Sequence, residues 1–155
     1  MIVIAALALQ IASEGRRSIG IYDGWGAFRD AAPARCFAIA EPLGARRPAR
    51  PFASIATWPT DGQRNQLYFR LSRPRAPAAK VTLSIGERRF ELLAGPADAW
   101  SPDARTDQAI VTAIRAGRSM SVETVSARGQ PFADTYALAG AATAIDAAAV
   151  GCAGR

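Results

Sequence analysis

A mainly β fold, an antiparallel sandwich with two short helices, is what this sequence predicts, and three observations lead there. Apolar residues alternate with polar ones at a period of two in several short runs, and turn signals recur every 8 to 12 residues between them. A spacing of three and four is found in only one clear stretch. No internal repeat of fixed period is present, which argues against a propeller or a solenoid.

The clearest strand is Lys80 to Ile85, where Val81, Leu83 and Ile85 alternate with Lys80, Thr82 and Ser84. Gly86-Glu87 turns it into Arg88 to Leu93, with Phe90 and Leu92 on one face. Leu67, Phe69 and Leu71 alternate in the same way, preceded by a blurred strand from Phe52 to Trp58 and a Pro59-Thr60-Asp61-Gly62 turn. Near the start, Arg16 to Tyr22 reads as a short strand and Asp23 to Phe28 as a connecting segment. Glycines on both sides of Trp25 let its ring lie against the main chain. Asp30 to Pro33 marks a turn before a strand from Arg35 to Glu41. Late in the chain, Met120, Val122 and Thr124 share one face of a strand from Arg118 to Ser126. Phe132, Tyr136 and Leu138 do so in a strand from Phe132 to Ala139, with Asp134 on their side.

Ala109, Ile110, Ala113 and Ile114 give an amphipathic helix over 106–116, capped by Thr106 or Asp107 and closed by Gly117. Arg115 and Arg118 suit its C-terminal end, where the helix dipole favours positive charge. An alanine-rich helix over 141–150, with Ile145 as its main apolar contact, ends at Gly151 just before Cys152.

A chain of 155 residues, half of them apolar, fits one domain over residues 16–155, able to bury ~70% of the surface its unfolded chain exposes. Ile2 to Ala12 is an apolar run broken only by Gln10, too short to cross a bilayer and followed by Ala12-Ser13-Glu14-Gly15, so residues 1–15 read as a signal-like leader. A buried first strand in a cytosolic protein is the competing reading. Export implies an oxidising compartment, periplasmic or secreted, and there Cys36 and Cys152 are expected to pair. Two separate buried thiols are the alternative. Closing so long a loop removes unfolded-chain entropy worth roughly 4 to 5 kcal/mol.

The chemistry is defined mainly by what is missing. Without histidine the usual proton shuttle is absent, and with it histidine-containing triads and zinc sites. No metal-ligand cluster, calcium loop or nucleotide motif is legible, so no cofactor and no catalytic residue are expected. Hydrolysis would have to use carboxylates, tyrosine or lysine, and Asp98, Asp103 and Asp107 are placed where a turn and a helix start explain them.

Candidate binding residues are Arg46, Arg47 and Arg50, on a Pro/Arg loop over residues 42–51, together with Trp58, expected to be partly exposed next to Pro59. Guanidinium forks match phosphate and carboxylate, so this loop and a second Pro/Arg connector carrying Arg73 and Arg75 could hold a polyanion such as lipopolysaccharide. A solvated loop with no ligand is the bland reading. The net charge of +6, from 18 arginines and Lys80, is weak evidence for nucleic acid, and no nucleic-acid partner is expected.

In order along the chain stand Trp25, Phe28, Cys36-Phe37 and Pro42, then Phe90-Glu91-Leu92, Ala99-Trp100, Asp107-Gln108-Ala109-Ile110-Val111 and Ala116-Gly117. Ser126-Ala127-Arg128-Gly129, Asp134 to Gly140 and the terminal Cys152 complete the series. Their order and spacing resemble the invasion-associated locus B family of bacterial envelope proteins, in its short form with one early and one late cysteine. The resemblance implies an immunoglobulin-like sandwich that is exported, non-enzymatic and not integral to the membrane after leader removal. Some members are linked to host-cell entry. The leader, the cysteine pair and the absence of catalytic chemistry together point to an unidentified protein or envelope partner.

Overall fold

The computed structural model describes residues 15–45 and 49–153. The leader expectation at residues 1–14 and the candidates Arg46 and Arg47 lie outside the described residues.

Among the described residues ten strands and two helices follow one another as β1 (Arg17–Tyr22), β2 (Trp25–Ala31), β3 (Ala34–Ala40), β4 (Phe52–Trp58), β5 (Gln63–Arg70), β6 (Val81–Ile85), β7 (Arg88–Ala94), β8 (Asp98–Trp100), α1 (Ala104–Ala116), β9 (Ser119–Val125), β10 (Pro131–Ala137) and α2 (Ala141–Cys152). All strand pairs are antiparallel, in the order β1-β2-β3-β4-β5-β8-β7-β6-β9-β10. The expected mainly β sandwich with two helices is therefore the observed architecture, with one feature that periodicity could not show. Its two layers are parts of a single sheet, and β7 is the shared strand: Val81 to Ile85 of β6 pair along it, while its last residues Leu93 and Ala94 pair with Trp100 and Ala99 of β8.

The layers meet because each strand has one apolar face. Leu67, Phe69 and Leu71 point into the same core as Val81, Leu83 and Ile85, and as Met120, Val122 and Tyr136. Phe69 of β5 and Tyr136 of β10 tilt against each other at 5.7 Å between ring centroids. The indole of Trp25 is fully buried and donates to the main-chain carbonyl of Ala137 at 2.9 Å, which joins β2 to the far edge of the sheet. The flanking glycines do not make the room for this ring: a Cβ at Gly24 would meet nothing, and one at Gly26 would meet the Phe28 ring and Ile21 instead. Asp134, also buried, accepts from the backbone N–H and the hydroxyl of Ser72 and so ties β10 to the connector after β5.

α2 lies on β1, β2 and β3, where Ala141, Ala144 and Ala148 meet a sheet face built from Ala27, Ala38 and Cys36. Small residues on both sides let a helix backbone approach a sheet closely. Gly140 starts the helix at φ 84°, and a Cβ there would overlap the carbonyl oxygen of Tyr22, so only glycine fits. At the other end Cys152 closes a disulfide with Cys36 of β3, 116 residues apart in sequence.

Three further expectations change. Trp25 to Ala31 is a strand, β2, where a connecting segment and a turn are expected; it pairs with β1 on one side and β3 on the other. β8 was not expected at all. The first helix begins at Ala104 and its cap is Asp103, whose carboxylate accepts from Thr106 N–H at 2.7 Å; neither Thr106 nor Asp107 caps it. Both helices are slightly longer than their apolar spacing predicts, α2 running through Gly151 to Cys152.

Candidate functional site

The outer face of β3, β4, β5 and β8 does not read like a solvated sheet face. Strand register sets Ser54 of β4 beside Tyr68 of β5, and Tyr68 beside Trp100 of β8. The neighbouring row runs from Phe37 through Ala56 to Gln66. Because β4 places the small side chains of Ser54 and Ala56 between larger neighbours, the face is hollow there. Phe52, Trp58, Tyr68 and Trp100 rise around this floor, and with Arg35, Gln66 and Asp98 they line a cleft of about 430 Å³.

Most polar groups in the cleft are fixed by a partner. Trp58 donates its indole N–H to Oε1 of Gln66 at 3.0 Å, which leaves the Gln66 amide hydrogens pointing elsewhere. Tyr68 donates its hydroxyl to Oδ2 of Asp98 at 2.9 Å; burial first, and then that carboxylate, push the phenol above its ordinary pKa. The Arg35 guanidinium lies 4.4 Å from the Phe37 ring centroid and 5.3 Å from that of Trp58, while its Nε donates to Asp30 at 2.8 Å. Asp30 also takes Arg16, and these two arginines, Arg16 first, hold its carboxyl below the usual range. Phe52 and Tyr68 tilt together at 5.8 Å.

A second groove, of about 660 Å³, adjoins the first and shares Gln66 and Trp100 with it. It lies between the start of β5 and the start of α1 and contains Asp103 and Asp107. Their carboxyls are held in opposite directions. Asp103, exposed, is pulled below the usual range by the Thr106 N–H it caps. Asp107 is buried and pushed up by that burial, although it accepts from the backbone N–H of Leu67 at 2.9 Å. The second bond fastens α1 to β5. Both carboxylates are thus occupied with backbone N–H groups, one capping the helix and one docking it.

Of the residues singled out in the sequence, Trp58 stands in the aromatic cleft, half-buried as expected. Arg50 is exposed at φ 46° on the loop that enters β4, outside the residues lining the cleft. The second Pro/Arg connector behaves differently. Arg75 turns inward and donates to the main-chain carbonyls of Gly95, Ala76, Pro77, Ala79 and Ala94 at 2.7 to 3.4 Å, and Arg73 lies over the Phe132 ring at 5.8 Å. Sequence reasoning missed Arg35, Phe52, Gln66, Tyr68, Asp98 and Trp100 as members of one site. The available signal was an aromatic residue, Tyr68, on the solvent side of an alternating strand. Among the described residues no group of three His, Cys, Asp or Glu side chains could hold a metal ion, and no helix is long and apolar enough to cross a membrane.

Comparison with known proteins gives two matches. Residues 29–149 match the family described as invasion associated locus B (IalB) protein. Among solved structures, the crystal structure of invasion associated protein b from Bartonella henselae superposes with a TM-score of 0.65 at 16% identity, over 86% of this chain and 96% of the other. At that identity the likeness is one of fold. No match was found among curated proteins.

Proposed function

The chain belongs to the invasion-associated locus B family, and on that premise we propose that it is an exported protein of the cell envelope, periplasmic or secreted, that binds a partner without catalysing a reaction. The observation that carries this reading is the aromatic cleft. Four rings stand around a floor of small residues on a face that a soluble sandwich ordinarily gives to polar side chains. The disulfide supports the extracytoplasmic address, because such bonds persist where thiols are oxidised. A non-catalytic role is supported by the carboxylates nearest the grooves, which serve backbone N–H groups or, for Asp98, the Tyr68 hydroxyl. A contribution to host-cell association belongs to the same proposal.

Anion binding by the Pro/Arg segments is the weaker reading. Arg75 spends its donors on five carbonyls, and Arg16 and Arg35, which do meet, meet on the Asp30 carboxylate that pairs with both.

The deciding experiment fractionates the native cell and weighs the recovered protein intact, with and without reduction and alkylation. Recovery outside the cytoplasm at a mass lacking the first 12 to 15 residues, with both thiols blocked until reduction, is the expected result. A full-length, cytoplasmic, fully alkylatable protein refutes export.

A further inference from the structure

We propose that the aromatic cleft is a glycan-binding site, and that its ligand is a neutral oligosaccharide or polysaccharide chain. The inference rests on the binding reading above and names the class of ligand.

Three properties of the site point to a sugar. The first is the alternation of rings with hydrogen-bonding groups. A pyranose has faces of C–H and a rim of hydroxyls, and it is matched by aromatic faces that keep a polar tip within reach. Trp58, Tyr68, Trp100 and Phe52 supply the faces; the Gln66 amide, the Asp98 carboxylate, the Tyr68 oxygen and the Ser54 hydroxyl supply the rim. After the internal bonds are assigned, the Gln66 amide hydrogens, Oδ1 of Asp98 and the lone pairs of the Tyr68 oxygen have no protein partner. Donors thus stand at the Gln66 end of the cleft and acceptors at the Asp98 end, with the Tyr68 ring between them, so a sugar lying on that ring meets hydrogen-bonding groups at both edges.

The second property is charge. The protein is strongly basic overall, yet the cleft is balanced: Arg35 is paired with Asp30, and the one carboxylate lining the cleft, Asp98, faces Arg70 across the β5–β8 ladder. A phosphate-rich ligand would meet Asp98, and a cationic peptide would meet Arg35. A neutral ligand meets neither penalty.

The third is extent. The cleft of about 430 Å³ adjoins the groove of about 660 Å³, Gln66 and Trp100 lining both, and the groove adds the amides and hydroxyl of Gln63, Asn65, Gln108 and Ser101 beside the charged Arg64, Asp103 and Asp107. A pocket of this size accommodates a small ligand. Two adjoining hollows with a shared tryptophan suit several successive sugar units.

The test titrates the purified, disulfide-closed protein with maltohexaose, cellohexaose and the hexamer of N-acetylglucosamine, each up to about 10 mM, a range that covers weak affinities. Binding is read by tryptophan emission and by calorimetry. At least one sugar is expected to give a saturable response that changes less than about twofold between about 0.05 and 0.5 M NaCl, since no ion pair is involved. Trp58→Ala and Trp100→Ala should weaken it about tenfold or more, as loss of an aromatic anchor does. Asp98→Asn preserves the shape of the site while weakening a charged acceptor, and serves as the folded control; it should weaken binding by a factor of about five. Arg50→Ser should leave binding unchanged.

No saturable response to any of the three sugars, a response retained by the Trp58→Ala/Trp100→Ala double variant, or one that fades with salt overturns the proposal. So does self-association abolished by the same tryptophan substitutions, which would assign the face to a second copy of the chain. Binding to isolated envelope material separates this failure from failure of the broader reading. If Trp58→Ala and Trp100→Ala abolish envelope binding while every sugar fails, the glycan falls and the envelope partner stands. If envelope binding ignores both substitutions, the cleft is not the binding site.

Discussion

Replacing Cys36 and Cys152 together by alanine removes the cross-link that pins the end of α2 to β3, and the size of the effect follows from the fold. The two residues are separated by 116 positions, so the closed loop holds about 117 residues, and loop-closure entropy assigns it about 4.9 kcal/mol at 25 °C. Net stabilities of domains lie at about 5–15 kcal/mol, so the variant should lose between a third and nearly all of its margin. A thermal midpoint should fall by about 10–20 °C, at about 2–4 °C per kcal/mol for a chain of this length. Urea unfolding of the parent, the double variant and the reduced parent measures this directly. The unfolded variant is free to expand, so its m-value should rise while its native spectrum overlays that of the parent. A loss below about 1 kcal/mol with an unchanged m-value would refute the reasoning, because the bond would then not be acting on the unfolded chain.

Two further outcomes test the roles given to single polar side chains. Arg75→Ala should cost about 2–3 kcal/mol by freeing the carbonyls of Gly95, Ala76, Pro77, Ala79 and Ala94, with Arg75→Lys recovering less than half, and retention on an anionic matrix should not change; weakened retention with intact stability would reverse the assignment. Asp107 has a carboxyl pKa raised by burial above its unfolded value, so its contribution to stability is full below the unfolded pKa and is lost as pH rises through the folded one. Asp107→Asn should therefore flatten the fall in stability above about pH 4, the ordinary carboxylate range, while Asp107→Ala, which orphans the Leu67 N–H, should cost about 1–3 kcal/mol below that range and less as pH rises. Equal pH slopes for the parent and Asp107→Asn would show that the buried carboxyl does not titrate as described.

The core strands were legible because each carries a dense alternation: Val81, Leu83 and Ile85 are buried, as are Leu67, Phe69 and Leu71. The pairing of Cys36 with Cys152 was legible from compartment logic together with a count of two. β2 was hidden because Gly26 and Ala27 dilute its pattern, and because it borrows its stability from neighbours on both edges. β8 is only three residues long and lies just after Gly95-Pro96, too short for any period to register. The cleft escaped for a different reason. Its residues come from β3, β4, β5 and β8, and only cross-strand register brings Trp58, Tyr68 and Trp100 onto one face. The same holds for Asp107, which reads as an ordinary helix-start carboxylate until α1 is docked on β5 and Leu67 N–H is found opposite it.

The placement of the two sulfurs also sets an order of events. Synthesis runs from the N-terminus, so Cys36 is made before Cys152, and the bond between them cannot form until the chain across their separation of 116 positions exists. The latch therefore closes only after every strand from β4 to β10 has been made, and it fastens α2 onto a sheet whose pairing partners are all already present.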